Sequence, residues 1–484
     1  MAVNYATPDA HFETLDRAIP EQADYDLAVR HAPRLRFDVR EPFLPLAVGY
    51  TVIRASGKSP SFPRDIILPP NALCAVEYAI WWDWDIQHLY ELEHIWVYLD
   101  ASENVIAAEA SWHGDWHPMV DANGGVPFEG GQVTLYSEPG KHAFAPVIEW
   151  LHERQAKTKR SCGPRSGSMG VLVTPLFAGR ILDRLPVNNN LVHAYLERLA
   201  FMPSYDFAQQ FDLATAVFVP WSTLFAWIPE RIHWWTEHLR ATLPPNQRRP
   251  LRIAHRGASA YAQEGSTASV EKASDLGADM VEVDIRVTAD NVPVIAHDAD
   301  LMRVFGVPGL ISDLTLAELR AATPPDRQPV LTFEEMAKLC SDLQLGLYLD
   351  IKEITPGAMV TVLTVLRETG MLRYAIFGSF RPDLVAEIKA NAPEAVTSIL
   401  FSSANVEPVL LARSVKADYV HPCWERFESP SALLTEAWIN SVRAEELGIV
   451  CWHEERPHEI AALTALGVDG ICSDQPELLV IPRP

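Results

Sequence analysis

Three short stretches, Leu251-Arg-Ile-Ala-His-Arg-Gly257, Met280-Val-Glu-Val-Asp-Ile-Arg286 and Gly346-Leu-Tyr-Leu-Asp-Ile-Lys352, have one design: a β-type run that ends on charged or imidazole side chains. They belong to a longer series. From residue 251 onward, β-type runs at 251–254, 280–286, 292–296, 346–351, 374–379, 396–401, 418–420, 449–452 and 470–473 alternate with helical patterns at 267–276, 332–343, 358–368, 382–391, 435–446 and 457–466. Regular strand–helix alternation predicts a parallel sheet, and this many repeats suit a closed (β/α)8 TIM barrel better than an open sheet. In such barrels chemistry gathers where the strands end.

The residues at those ends form a coherent set. The first run delivers His255 and Arg256, with Glu264 nine residues past the histidine. The second carries Glu282 and Asp284, whose period-two spacing aims both carboxylates to one side. Read in series, a third run ends in His297-Asp298 and a fourth carries Asp350 and Lys352. Three or four carboxylates in one cleft cannot all stay ionised without a cation between them, and an all-oxygen ligand set selects hard Mg2+ or Ca2+ over zinc. Arginine and lysine beside that cation suit the non-bridging oxygens of a phosphate. Two histidines can divide general base and general acid between them. Metal-assisted cleavage of a phosphodiester follows from these parts. Taken singly, His297-Asp298 reads as a capping turn and Glu282-Val283-Asp284 as a surface strand; the spacing of the whole set carries the reading.

From 251 to about 479 the chain resembles the glycerophosphodiester phosphodiesterase family, TIM barrels of the phosphatidylinositol-phospholipase-C-like type. The likeness rests on His255-Arg256-Gly257, Glu264, Gly277-Ala278-Asp279, Glu282-Val283-Asp284, His297-Asp298, Ser312-Asp313-Leu314-Thr315, Ser379-Phe380, Gly467-Val468-Asp469-Gly470-Ile471 and Ser473-Asp474. The resemblance implies His255 and His297 as the acid–base pair. It implies Glu264, Glu282, Asp284 and Asp350 around one divalent cation, Mg2+ or Ca2+, with Arg256 and Lys352 on the phosphate and Trp452 in the alcohol pocket. The implied reaction turns a glycerophosphodiester into glycerol 3-phosphate and an alcohol. A phospholipase D-like or cyclising reaction on lysophospholipids is the alternative within enzymes, and a non-catalytic phosphodiester-binding barrel is the alternative outside them. Three departures stand out. Gln263-Glu264-Gly265-Ser266 replaces the family's Pro-Glu-Asn-Thr, Asp350 stands where a glutamate is common, and Trp452-His453-Glu454-Glu455 replaces Trp-Thr-Val-Asn.

The rest of the 484 residues reads differently. Pro244, Pro245 and Pro250 punctuate a polar stretch at 243–250, which predicts a domain boundary near 245: a β-rich domain at 1–245 and the barrel at 246–484. Aromatic-rich runs at 78–85, 94–99, 105–112 and 132–136, with a hairpin turn at 100–104, predict a mainly antiparallel, sandwich-like first domain with added helices. It distantly resembles the β-sandwich of vacuolar-sorting-associated and necrosis-inducing proteins, on Tyr78 to Asp85, Glu91-Leu92-Glu93-His94, Ser111-Trp112-His113-Gly114 and Gly140-Lys141-His142-Ala143. That likeness implies a second cation at His88, Glu91 and Glu93, with His113 and His142 nearby; the competing reading is polar residues of a half-solvated sheet. The tryptophans suit a lipid- or carbohydrate-contacting face or a packed core. The basic stretch 157–169 reads as a surface loop.

Sixty-three acidic and 40 basic residues leave a net charge of −23, which opposes nucleic acid and anionic membrane faces. An anionic substrate must therefore meet local positive potential from the cation, Arg256 and Lys352. Six scattered cysteines have no paired spacing and read as buried thiols. No apolar run is long enough to cross a bilayer and no leader is visible, so a cytoplasmic location is expected; a homo-oligomer stays open.

Overall fold

The computed structural model describes residues 9–243 and 248–480. Residues 244–247, the middle of the expected boundary, lie outside it. The chain divides into two compact units, one of Met1–Arg184 with Leu191–Thr242 and one of Leu185–Asn190 with Leu243–Pro484. The second unit thus also takes Leu185 and the first five residues of helix Pro186–Glu197, where Asn190 Nδ2 donates to the Asp469 carbonyl at 2.9 Å.

The second unit is the barrel. Strands Leu251–His255, Met280–Val287, Gly346–Ile351, Ala375–Ser379, Val396–Phe401, Tyr419–Pro422, Gly448–Cys451 and Gly470–Ser473 pair in parallel around the ring. The ring closes where Leu251 stands opposite Gly470. Helices follow the predicted alternation, and local chemistry starts them: Ser266 caps Thr267–Asp275, while Thr315 with Glu318 and Thr332 with Glu335 form capping boxes on the two helices that follow. The run at 292–296 departs from the series. As strand Pro293–Ile295 it pairs antiparallel with Met280–Val287, outside the closed ring. The connection through Asp290 and Asn291 is far too short for a parallel crossover, which needs a dozen or more residues. Asp350 therefore sits on the third barrel strand rather than a fourth, and His297 arrives from a hairpin.

Side chains facing the barrel axis fill it below the mouth: Ile253, Met280, Tyr348, Ile376, Leu400, Tyr419, Val450 and Cys472 form one buried cluster. Gly378 makes room for the Tyr348 ring, which a Cβ there would meet at 2.7 Å. Tyr348 Oη lies 2.6 Å from His421 Nδ1, and burial drives that histidine down to about 3.

The first unit holds two larger sheets. One is built on Cys74–Trp84 paired antiparallel with His88–Leu99, flanked by Ala47–Ile53 and Val105–Trp112. The other is mixed, with Arg34–Phe37 parallel to Gln132–Ser137 and antiparallel to Gln209–Asp212. Asp100 shapes the predicted hairpin turn by accepting the amides of Ser102 and Asn104. The tryptophans are mostly core: Trp81, Trp82 and Trp96 are fully buried, whereas Trp116 is exposed. Helix Trp221–Thr242 anchors itself through a buried fork, Arg231 Nε and Nη2 donating to Asp83 at 3.0 and 2.6 Å. The stretch 157–169 is not a surface loop. Its first part lies in helix Gln155–Cys162, and Ser161, Cys162, Arg165 and Ser166 are buried. The buried face of that helix is Thr158, Ser161 and Cys162, which present no apolar stripe in the sequence. All six cysteines are buried and none is in a disulfide.

Candidate active site

Strand register brings the acidic set together. His255 stands opposite Glu282, and Asp284 opposite Asp350, so the period-two pair on the second strand meets a histidine on one side and a carboxylate on the other. Carboxylate oxygens of Glu282, Asp284 and Asp350 lie within 4.8 Å of one another, and all three residues are buried. Burial, then Asp284 and Asp350, pushes the Glu282 carboxyl well above its ordinary range. Burial also raises Asp350, to about 6, against the pull of Lys352. The cluster is short of positive charge. Glu282 Oε1 and Asp350 Oδ1 are buried with no hydrogen-bond partner. Orphaned, all-oxygen and mutually repelling, these ligands fit a hard divalent cation.

Two side-chain cations reach into the cluster. Lys352 Nζ lies 2.5 Å from Asp350 and 3.0 Å from Asp284; burial opposes its charge, but these carboxylates hold its pKa above the ordinary value. Arg256 Nε lies 3.3 Å from Asp284, and the Arg256 amide donates to Glu282 Oε2 at 3.0 Å. That geometry comes from a tight left-handed turn: Arg256 has φ 56 and Gly257 φ 81. Gly257 admits no side chain, since a Cβ would meet Ser269 Oγ at 2.4 Å. A strained turn at the end of a strand is how the backbone amide and the guanidinium of one residue both face the acids.

His255 is buried and oriented. Its Nδ1 lies 2.6 Å from Asp474 Oδ1, and burial lowers its pKa while Asp474 opposes the shift. A carboxylate only accepts, so Nδ1 carries the proton and Nε2, 4.0 Å from Glu282 and otherwise unpartnered, offers its lone pair to the site. Asp474 is itself held at about 2: burial opposes its charge, and the hydrogen bonds from His255 and Ser259 overcome that. The Trp452 ring lies 5.0 Å from His255, with Lys352 Nζ 5.5 Å above it, and the half-exposed Phe380 ring stands 6.1 Å away. His453 stacks on His255 at 4.8 Å, so the departure at 452–455 places a second imidazole against the first.

The other side of the cleft comes from the hairpin and the segment after it. His297 Nδ1 lies 2.7 Å from Asp298 Oδ1. Glu264 is not part of the three-carboxylate cluster; Arg303 holds it with both Nη atoms at 2.7 Å, and Arg256 Nη1 lies 3.3 Å away. A narrow cleft is lined by Arg256, Glu264, Asp284, His297 and Asp298. The structure therefore gathers every expected barrel residue at one mouth, with Glu264 placed on arginines. Sequence reading assigned no role to Asp474 or Arg303. Asp474 follows its strand end just as Arg256 does, a signal that was legible; Arg303 comes from the four-residue helix Met302–Phe305 and announces itself by nothing in the sequence.

The first unit holds a second polar cluster. Here Asp85, His88 and Glu91 have ligand-type atoms within 4.8 Å of one another, so Asp85 takes the place expected of Glu93. Glu93 instead accepts from the Ser111 hydroxyl. Lys141 Nζ lies 2.7 Å from Asp85, so an ammonium already stands among these acids. His113 pairs with Glu138 at 2.5 Å, and His142 stacks on Trp82 at 4.7 Å; neither histidine joins the cluster.

Residues 255–478 match the glycerophosphoryl diester phosphodiesterase family. A glycerophosphodiester phosphodiesterase of Caldanaerobacter subterraneus subsp. tengcongensis is 27% identical over 240 residues, covering 48% of this chain and 96% of that protein. A putative glycerophosphodiester phosphodiesterase of Bacillus subtilis is 29% identical over 243 residues, covering 47% and 96%. Among solved structures, a glycerophosphodiester phosphodiesterase of Thermotoga maritima is 26% identical, covers 48% of this chain and 97% of its own, and has a TM-score of 0.41.

Proposed function

We propose that the barrel, a member of the glycerophosphoryl diester phosphodiesterase family over residues 255–478, hydrolyses glycerophosphodiesters to glycerol 3-phosphate and an alcohol. The observation that carries this reading is the pairing, at one mouth, of three buried carboxylates with two oriented histidines and two side-chain cations. A divalent cation held by Glu282, Asp284 and Asp350 would polarise a non-bridging phosphate oxygen and offset the charge that develops there. Everything else is this chain's own work. Arg256 and Lys352 face the phosphate, and Trp452 with Phe380 walls the alcohol side, where Lys352 lies over both rings. His255 Nε2 takes the proton of the attacking water as its oxygen bonds to phosphorus, with Asp474 steadying the imidazolium. As the phosphorus–oxygen bond to the alcohol breaks, His297 delivers a proton from Nε2 to the leaving oxygen, and Asp298 holds the ring from Nδ1.

The test is product analysis. Purified protein with Mg2+ or Ca2+ should release choline and glycerol 3-phosphate from glycerophosphocholine, followed by phosphorus NMR. No turnover of any glycerophosphodiester would overturn the activity, and a cyclic phosphate would replace water attack by attack of a substrate hydroxyl.

A further inference from the structure

We infer that Arg303 is a positioning residue that ties the proton donor His297 to the phosphate-facing Arg256, setting the cleft's two sides at a working distance. One guanidinium spends all three nitrogens on this. Nε donates to Asp298 Oδ2 at 2.5 Å, while Nη1 and Nη2 grip Glu264 as a two-pronged fork at 2.7 Å each. Each partner passes the constraint inward. Asp298 holds His297 Nδ1 at 2.7 Å through its other oxygen, and Glu264 contacts Arg256 Nη1, whose own amide and Nε face Glu282 and Asp284.

The charges agree with the geometry. Burial works against the charge of Asp298 and of Glu264, yet the Arg303 hydrogen bonds keep both low, Asp298 at about 2. Arg303 is half-exposed, and an isolated surface ion pair there would contribute little. A planar fork shared by two carboxylates is different, because it fixes direction as well as distance. Its backbone also belongs to the outer segment: Met302–Phe305 follows the antiparallel hairpin and ends at Gly306 with φ 70. Without the fork, nothing in the described hydrogen bonds joins Asp298 to Glu264.

This inference rests on His297 serving as the acid, so its test separates the two ideas. Wild type, Arg303→Ala, His297→Ala and the double variant are compared on glycerophosphocholine, whose alcohol needs a proton, and on a p-nitrophenyl glycerophosphodiester, whose phenol leaves without one. A displaced acid predicts that Arg303→Ala lowers kcat about tenfold to a hundredfold on the choline ester and at most about threefold on the nitrophenyl ester. In the His297→Ala background, Arg303→Ala should lower kcat by no more than that threefold, the share passed to Arg256 through Glu264. Arg303→Lys keeps a charge but cannot hold three oxygens, and should stay close to the alanine variant with an unchanged thermal transition. Equal losses on both esters, additive losses in the double variant, or full recovery with lysine would each overturn the role given to Arg303. Undiminished turnover by His297→Ala would instead overturn the acid assignment.

Discussion

Two buried acidic clusters, one in each unit, solve the same electrostatic problem in different ways. In the first unit Asp85, His88 and Glu91 converge, and the Lys141 ammonium sits against Asp85. In the barrel Glu282, Asp284 and Asp350 converge, and Lys352 sits against Asp350 and Asp284. The difference lies in what remains unsatisfied. The barrel cluster keeps Glu282 Oε1, Asp350 Oδ1 and the Nε2 of the adjoining His255 buried without hydrogen bonds, while both nearby histidines are gripped from behind by carboxylates. The first unit's His88 has its Nδ1 committed to the Tyr90 carbonyl at 2.7 Å, and Glu93 is committed to Ser111. An acidic cluster alone says little about function; orphaned ligand atoms beside oriented acid–base groups say much more.

Removing one charge from each cluster gives the largest contrast. Glu282→Gln keeps an oxygen for the Arg256 amide but takes away a ligand, and should lower kcat/KM on glycerophosphocholine by about three orders of magnitude or more. Its thermal stability should not fall, because the native environment already disfavours ionised Glu282. Lys141→Met should do the reverse. Breaking a buried pair leaves its acid uncompensated at a cost of about 3–5 kcal/mol, seen as a lowered unfolding transition, while kcat/KM assayed below that transition stays within about twofold. A Glu282→Gln enzyme that still turns over would dissolve the comparison, as would a Lys141→Met protein as stable as wild type.

What could be read from the sequence follows from the range of the forces involved. His255, Glu282, Asp284 and Asp350 were legible because strand ends and period-two alternation are local properties, and register then aligned them. The pattern at 292–296 was legible as a strand but not in its direction, which the brevity of the connecting turn decides. Glu264 illustrates the opposite limit. Its residue type and position suited a cation, but a guanidinium 39 residues away claims it, and such a partner leaves no periodic trace. The Lys141–Asp85 pair, 56 residues apart, was hidden for the same reason. The helix at 155–162 was masked by its own charges: its buried face consists of Thr158, Ser161 and Cys162, none of which marks an apolar stripe.

A divalent cation sharpens the contrast with a smaller effect. A ligand that binds only the folded barrel at a hundred times its Kd stabilises it by about 2.7 kcal/mol. Calorimetry with Mg2+ or Ca2+ should therefore raise the transition of the barrel and leave that of the first unit in place, and Glu282→Gln should abolish the shift. Equilibrium binding of glycerol 3-phosphate should weaken in chelator, since Lys352 and Arg256 are otherwise occupied by Asp284, Asp350 and Glu264. A cation-driven shift of the first unit's transition would mean that Lys141 yields its place and that the two clusters are alike after all.

The smallest effect is a slope. Burial raises Glu93 from its ordinary 4.5 to about 7, against the hydrogen bond from Ser111. Below pH 4.5 both folded and unfolded chains hold this proton. Between 4.5 and 7 the unfolded chain releases it while the folded chain keeps it, so Glu93 takes stability away as pH rises through that window and the loss levels off above about 7. His94, held down at about 3 by burial, acts with the opposite sign between 3 and 6.5, which flattens the profile of the wild type. The quantity to follow is accordingly the difference between wild type and Glu93→Gln, in which His94 cancels and the upward push that Glu93 gives Glu91 is lost with the same sign. Denaturant unfolding of the first unit at pH 4.5 and pH 7.5 should show the variant gaining on the wild type as pH rises. A constant difference would mean that Glu93 ionises normally in the folded state, that the Lys141 ammonium reaches beyond Asp85, and that the first unit's acids are better neutralised than those of the barrel.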